Sequence, residues 1–364
     1  MLNLEKIGKY QLAAAIILFE IGSVALFELG IGAKQDAWLA VLSGMCTGLL
    51  LMWVYLSIQH REPEKNLIQI LLSYLGRYIG GSIAFLYVVH FAYQSMRNTR
   101  DFGDLILITI MPQTPIFVVM LVLILLSSYA IFKGIEVFFR TLEFLFPFAV
   151  LGYFSLIIMF FVSGVIEAER ILPILENGVR PVLKEAIPNI LMVPFGQMAL
   201  FLMFWKHLSN KNELTKMTMR SYVFVGLFLV MINWLNLVCL GVPLTSISTI
   251  PLLHCVRLIQ IADFLERFDP VVVLLLFIGL YAKMTAYYLG AVLALSQLLH
   301  IDYKKVMWPV GAAIFSTSFI PSSYIQHIWI GFKISHNTDF VLFQAIIPIL
   351  LLLVMAVRGR RKQA

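Results

Sequence analysis

The sequence predicts an all-α integral membrane protein, a single domain that crosses the bilayer ten times. Of its 364 residues, 60% are apolar and only 13% are charged, whereas soluble domains carry about 25% charged residues. Long apolar runs recur along the whole chain, with short polar connections between them. Because a bilayer core about 30 Å thick needs roughly 20 apolar residues per helix, we interpret these runs as membrane spans.

The runs divide the chain into ten helices. We expect spans at about residues 10–32, 37–58, 79–103, 115–133, 141–163, 187–206, 220–243, 269–299, 306–325 and 339–357. Connections at 59–77, 164–186, 207–219 and 244–268 hold most polar residues, and no soluble domain is expected at either end. The first run, after Lys6 and Lys9, is too long for the apolar core of a signal peptide and is expected to be retained.

The distribution of Lys and Arg predicts the orientation. With the N-terminus in the cytoplasm, 17 of the 27 lie on the cytoplasmic side, nine on the outer side, and Lys283 within a span. Cytoplasmic connections of membrane proteins are enriched in these residues, so we expect both termini in the cytoplasm. The net charge of +7 then suits the anionic lipid of the inner leaflet, and no nucleic-acid partner is expected.

Two spans carry matching interruptions. The first contains Gly22–Phe27 and the sixth Gly196–Phe201, which share the pattern G-x-x-A-L-F at an offset of 174 residues. Gly lowers helix propensity, and Pro194 cannot donate a backbone hydrogen bond. Paired interruptions in corresponding spans point to the central site of a transporter fold. The alternative is that both glycines only allow close helix packing.

The interruptions also predict the topology. Each begins a half of five spans, about residues 8–163 and 187–357. Because five is odd, the second half runs opposite to the first, which gives the five-plus-five inverted repeat of LeuT and of the amino acid–polyamine–organocation (APC) transporters. Half-helix ends there would offer N–H groups to a carboxylate and carbonyls to an amine. The ligand-binding residues expected around the two interruptions are Glu20, Ile21, Gly22, Ser23, Val24, Tyr93, Gln94, Val193, Pro194, Phe195, Gly196, Gln197, Met198 and Tyr287.

The charged residues predicted inside the first, third and eighth spans each allow a functional and a purely structural interpretation. An unpaired Lys283 would cost at least about 2.5–3.5 kcal/mol, so it either acts as an internal cation that stabilises the first interruption near Glu20, or forms a static pair with Glu20 or snorkels. In the third span, Arg97 with Asp101 and Arg100 with Asp104 are expected as i,i+4 pairs. They would form a solvated vestibule wall, or else a gate or partner surface.

No enzymatic or metal site is predicted. The three cysteines show no CxxC spacing and are interpreted as small buried side chains, and the seven histidines show no metal-ligand spacing. HExxH and GxSxG motifs are absent from the sequence. We therefore expect no cofactor and no catalysis. Glu28 is expected as a vestibule residue, and the outer connections 164–186 and 244–263 as lids, docking surfaces or simple covers of the bundle.

Three stretches together resemble the B subunits of spore germinant receptors, the GerA family. They are Gln35–Trp38, Arg180–Leu183 and Phe264–Asp269, and the resemblance extends over essentially the whole chain. It implies a permease-like membrane protein of the spore inner membrane that binds a nutrient, commonly a small amino acid. It also implies an A-type membrane subunit and a C-type lipoprotein subunit as partners. Members often carry G-x-G at the first interruption, whereas this chain has Gly22-Ser23-Val24. The resemblance therefore does not identify the nutrient that this chain would bind.

The same fold leaves a second function open. A secondary amino-acid transporter, with or without proton coupling, would use the same site. Uptake of a ligand by the isolated chain would favour transport, and neighbouring genes for A-type and C-type subunits would favour a receptor.

Overall fold

The computed structural model describes residues 5–259, 268–331 and 339–361, with side chains to 358, and this part of the chain is almost entirely helical. The first-half helices are α1 (Lys9–Ile21), α2 (Ala37–Arg61), α3 (Leu67–Thr109), α4 (Ile116–Lys133) and α5 (Ile135–Ser163). The later ones are α6 (Val179–Glu185), α7 (Leu214–Ile247), α8 (Pro251–Arg257), α9 (Asp269–Leu299), α10 (Tyr303–Thr317), α11 (Tyr324–Gly331) and α12 (Ile347–Arg361).

The structure contains helices at the predicted spans, but several helices begin or end at different residues than predicted. Within the described residues, nine helical segments are long and apolar enough to cross a membrane. The tenth, α10, has 15 residues and ends at Thr317, so the prediction that this span reaches residue 325 was wrong. Pro321 follows closely, and proline cannot continue a helix. The third span was placed too short, because α3 begins at Leu67 and bends at Gly76, where φ is 79°.

Apolar side chains cover both the interior and much of the outside. Phe144, Leu151 and Val162 on α5 are each more than 60% exposed, as expected for a helix face in contact with lipid. In contrast to the exposed face of α5, α9 is largely buried and packs against α1 and α3. The helix that carries Lys283 is therefore the centre of the bundle.

The N-terminal segment is tied to the end of the sixth span. Ile7 donates its N–H to the His207 carbonyl (2.9 Å) and accepts from the N–H of Ser209 (3.0 Å). Glu5 accepts from the Ile135 N–H at 2.5 Å and so caps α5. Burial lowers the pKa of His207 to about 4, so this imidazole is neutral at physiological pH. These contacts hold α1 at one end and leave its other end, at Gly22, to define the site.

Candidate functional site

The first interruption is a change of helix type followed by an irregular turn. The α-helix ends at Ile21, a 3₁₀ helix covers Gly22–Leu26, and Gly30 has a φ of 68°. Side chains of α7 satisfy the irregular part: Asn233 Nδ2 donates to the Leu29 carbonyl (3.1 Å). Asn236 Nδ2 donates to Glu28 Oε2 (2.7 Å).

The second interruption lies in the sixth span. The chain leaves α6 through a π-helical turn at Ala186–Ile190 and continues as a 3₁₀ helix at Phe195–Met203. Tyr55 Oη donates to the Gln344 carbonyl (2.5 Å), and the Gly196 carbonyl oxygen lies 3.0 Å from the same hydroxyl. The Gln344 carbonyl is free to accept because Pro348, four residues later, has no N–H. One buried tyrosine therefore joins the second interruption to the last span.

A partly open cavity of about 180 Å³ joins the two interruptions. Its walls come from the first interruption, α3, the second interruption and α11. The lining residues are Ser23, Val24, Phe27, Glu28, Leu29, Gly30, Ile31, Gln94, Arg97, Asn98, Asp101, Glu185, Asn189, Ile190, Val193, Gln197, Ile328, Gly331 and Phe340. Both interrupted helices thus contribute to one binding space.

The polar wall of this cavity is rich in unused acceptors. Glu28 Oε1, Asn98 Oδ1 and Gln197 Oε1 are buried and have no hydrogen-bond partner within the described chain. The Asn98 amide is oriented by its bond from Nδ2 to the Gln94 carbonyl (2.8 Å). Buried polar atoms without partners are costly, so a ligand that brings hydrogen-bond donors would stabilise this cavity. Arg97 adds a cationic group to the same lining.

The predicted site residues fall into two groups. Ser23, Val24, Gln94, Val193 and Gln197 line the cavity. The other predicted residues, which do not line it, are Glu20, Ile21, Gly22, Tyr93, Pro194, Phe195, Gly196, Met198 and Tyr287. The cavity lies further along the first interruption than expected, because the helix remains tightly wound through Leu26 and opens only after that residue.

Several of the other predicted residues form a packed layer beside the cavity. Tyr287 packs on Phe19, with ring centroids 5.3 Å apart. A Cβ placed on Gly22 would lie 2.7 Å from Lys283 Cδ, and one on Gly279 would lie 2.9 Å from Gly22 Cα. Gly22 and Gly279 therefore let α1 and α9 touch backbone to backbone, which is the packing interpretation of Gly22.

Glu20 and Lys283 lie in this packed layer. Both are at most 1% exposed, and neither carboxylate oxygen nor the Lys283 ammonium has a hydrogen-bond partner in the described part of the chain. Lys283 Nζ lies 5.3 Å from the Phe19 ring centroid. Glu20 is the opposite charge that acts most strongly on Lys283, although the two form no ion pair within 4.0 Å among the described residues.

Comparison with known proteins decides the family. Residues 6–326 match the family model described as "Spore germination protein". The chain is 33% identical over 361 residues to Spore germination protein KB of Bacillus subtilis (strain 168), covering 98% of this chain and 96% of that protein. This chain belongs to the spore germination protein family.

Solved structures confirm the fold predicted for this family member. The transporter Mhp1, of the nucleobase-cation-symport-1 family, matches with a TM-score of 0.67 and 12% identity, over 98% of this chain and 80% of that chain. MhsT in complex with L-phenylalanine matches with a TM-score of 0.65 and 13% identity, over 96% and 88%. The five-plus-five LeuT-like architecture with interrupted first and sixth helices is therefore confirmed.

Two of the three stretches that suggested the spore germination family lie near the cavity or its cover. Gln35 Nε2 donates to Glu176 Oε2 (2.9 Å), and the Leu175 N–H donates to Asp36 Oδ1 (2.9 Å). These bonds fasten the connection 164–186 over the start of α2. Arg180–Leu183 lies in α6, whereas most of Phe264–Asp269 lies outside the described residues.

The polar face of α3 is a buried clamp rather than a solvated wall. Asp101 bonds through Oδ1 to His327 Nε2 (2.8 Å), instead of pairing with Arg97. Arg100 pairs with Asp104 (2.7 Å) as predicted, and its Nη1 donates to the Pro321 carbonyl (2.9 Å). Both aspartates and Arg100 are less than 10% exposed. His327 of α11 contacts Asp101, and the segment between α10 and α11 contacts Arg100. The expectation of a solvated vestibule was therefore wrong.

We predict that His327→Ala loosens α11 over the cavity. The change leaves the Asp101 carboxylate buried without its imidazole partner, which costs about 1–3 kcal/mol. Hydrogen–deuterium exchange of residues 324–331 should become faster. Ile325→Ala on the same helix is the matched control, since that side chain is 80% exposed. Equal exchange in the two variants would show that the bond does not hold the helix.

Sequence patterns missed the contributions of α6 and of the segment after α11. Glu185, Asn189 and Ile190 line the cavity, although they lie before the glycine on which the prediction rested. Asp339 binds both His90 and Gln94, at 2.9 Å in each case, and positions them from the last span. A carboxylate at the start of an apolar span was the available signal, but its partners are about 245 residues away in sequence.

Proposed function

We propose that this chain is the nutrient-binding membrane subunit of a spore germination receptor. A small molecule of amino-acid size binds in the cavity and shifts the balance between two conformations of the chain. An A-type membrane subunit and a C-type lipoprotein subunit would receive that change in the spore inner membrane. Membership of the spore germination protein family supports the germination role. The cavity between the two interruptions is the observation that carries the binding role.

The chemistry of the cavity suits a zwitterion. The unpartnered oxygens of Glu28, Asn98 and Gln197 would accept hydrogen bonds from an ammonium group. Arg97 would bind a carboxylate, since guanidinium groups match carboxylate geometry. Phe27 and Phe340 supply apolar walls for a side chain.

Lys283 would serve as a built-in cation for this receptor. Its aliphatic chain fills the space against Gly22, and its ammonium group lies 5.3 Å from the Phe19 ring centroid, where Glu20 is the opposite charge that acts most strongly on it. A charge held at this point favours one packing of the first interruption against α9. Movement of that interruption is how binding in the adjacent cavity would reach the rest of the chain.

Binding and uptake by the purified chain test the proposal. In detergent, titration with the common L-amino acids should give saturable binding of at least one of them. In liposomes, the same ligand should not accumulate, because a sensing subunit needs no transport cycle. Absence of binding to any small nutrient would count against a sensor. Accumulation driven by a proton gradient would support the transporter alternative. In that case net uptake of the ligand should not require the partner subunits.

Glu28→Gln should weaken binding of an amino acid about tenfold or more. Burial raises the pKa of Glu28, so its carboxyl group would ionise when an ammonium group binds beside it. The variant keeps the shape and the acceptor for Asn236 but cannot ionise, and hydrogen bonds to charged groups contribute about 1.5–3 kcal/mol. The dissociation constant measured by calorimetry reports the change. Leu50→Ala is the control, because Leu50 is 70% exposed on the outside of α2. Unchanged affinity in Glu28→Gln would place the ammonium elsewhere.

A further inference from the structure

Two buried cysteines from different helices meet beside α8. Cys239 lies near the end of α7 and is 1% exposed, and Cys255 lies on α8 and is fully buried. Both are free thiols, and Cys255 Sγ lies 3.9 Å from the backbone carbonyl oxygen of Asn236, one turn before Cys239 on α7. The Cys255 thiol also donates to Asn236 Oδ1 (3.4 Å). Because Asn236 and Cys239 are three residues apart, they share one helix face.

The backbone around Cys239 departs from a regular α-helix. Pro243 has no N–H to offer the Cys239 carbonyl four residues earlier. Arg170 Nη1 donates to that carbonyl instead. Gly241 has a φ of 72°, which turns the chain out of the straight helix and toward α8.

A short chain of hydrogen bonds connects the cysteines to the cavity. Cys255 donates to Asn236, and Asn236 donates from Nδ2 to Glu28 Oε2 at 2.7 Å. Glu28 lines the cavity with its other oxygen unpartnered in the described chain. A change at the cysteines therefore alters the residue that holds Glu28.

We propose that Cys239 and Cys255 are a redox-responsive dithiol site, in which oxidation by a small-molecule disulfide joins their sulfurs and locks α8 onto α7. One cysteine thiolate attacks the reagent and releases one thiol. The second then attacks the resulting mixed disulfide and releases another. Two protein S–H bonds are lost and one protein S–S bond forms, while the reagent's S–S bond is reduced to two thiols that take up both protons.

Two consequences distinguish this site from an ordinary buried pair. The disulfide removes the thiol donor from Asn236, so the support of Glu28 at the cavity changes. Burial also raises the pKa of the Cys255 thiol, and the thiolate is the reactive form. Oxidation is therefore slow while α8 is closed, and its rate reports how often α8 lifts. The predicted orientation places this pair outside the cytoplasm, where disulfides persist.

Thiol counting on the full-length chain tests the chemistry. In a Cys46→Ser background only the pair remains, since the exposed Cys46 on α2 is the third cysteine of the sequence. The protein is treated with dithiodipyridine, denatured, alkylated with N-ethylmaleimide, reduced and labelled with maleimide-polyethylene glycol. Two additions per chain are expected, and the intact mass of the oxidised chain before reduction should show no retained thiopyridine group, because two separate mixed disulfides would also give two additions. Adding Cys239→Ser or Cys255→Ser should leave at most one, from a mixed disulfide. Fewer than two additions in the pair variant would overturn the proposal.

Hydrogen–deuterium exchange tests the lock. Exchange of residues 251–257 should slow several-fold in the oxidised Cys46→Ser protein and return on reduction. The same reagent should leave exchange unchanged in the variant that also carries Cys239→Ser. A disulfide that forms without slowing this segment would contradict the locking of α8. Because the pair variant keeps both native thiols, folding defects of the serine variants cannot decide the outcome.

Discussion

Gly279→Ala should abolish the response to nutrient and destabilise the protein. The added Cβ would lie 2.9 Å from Gly22 Cα and 3.2 Å from the Gly22 carbonyl oxygen. These are backbone atoms, so only a separation of α1 from α9 can make room, and overpacking of this kind costs about 1–3 kcal/mol. Thermal unfolding in detergent and ligand titration would measure the two effects.

Gly81→Ala on α3 is the matched control for this substitution. Its nearest atom, Leu72 Cδ2, would lie 4.0 Å from the new Cβ, and alanine is favoured over glycine within helices by roughly 0.5–1 kcal/mol. This variant should be as stable as the native protein and bind normally. If Gly279→Ala behaved in the same way, the close contact of α1 with α9 would not matter for the site.

Replacing Glu20 and Lys283 together should preserve stability but remove the nutrient response. Neutral side chains in place of buried charges are often neutral or stabilising by about 1–4 kcal/mol, so Glu20→Gln/Lys283→Met should unfold no earlier than the native protein. Each single variant leaves one buried charge without its opposite and should be less stable than the double variant. Coupling of about 1–3 kcal/mol is expected from the double-mutant cycle.

The response of the double variant separates the two interpretations of Lys283. If the lysine is the built-in cation that sets the first interruption, ligand sensitivity is lost although the fold is intact. If Glu20 and Lys283 are only a static pair, the double variant responds like the native chain. Lys216→Met, at an exposed position of α7, controls for the loss of a positive charge.

The fold was largely predictable because membrane spans are defined by length and hydropathy. The paired interruptions at Gly22 and Gly196 were also visible, since glycine and proline weaken helices wherever they occur. The exact ends of the helices were harder to predict. The helix α3 runs through Gly76 into a polar connection, and no periodic signal marks a bend within a continuous helix. The boundaries of the two repeats stay a prediction.

The site was predicted only in part, because long-range packing determines which side of an interruption opens. Gln94, Val193 and Gln197 line the cavity, and their role in ligand binding stays a prediction. Gly22 instead faces α9, and a local pattern cannot distinguish a glycine that admits a ligand from one that admits a helix. The His327–Asp101 bond joins residues 226 apart in sequence, so the buried state of α3 could not be read from i,i+4 spacing.

The orientation and the partner subunits follow from charge distribution and family resemblance, and both remain proposals. Labelling of engineered cysteines near the termini in intact membranes would test the first. Co-purification with A-type and C-type proteins from spores would test the second.

Germination of spores that lack this chain tests the central claim most directly. Spores would be complemented with the native chain, with Glu28→Gln or with Leu50→Ala, and loss of optical density would be followed on a panel of nutrients. We predict that deletion removes the response to at least one nutrient, that the native chain and Leu50→Ala restore it, and that Glu28→Gln requires about tenfold more nutrient or more. Unchanged germination on every nutrient, in a strain without other receptors of this family, would contradict the account.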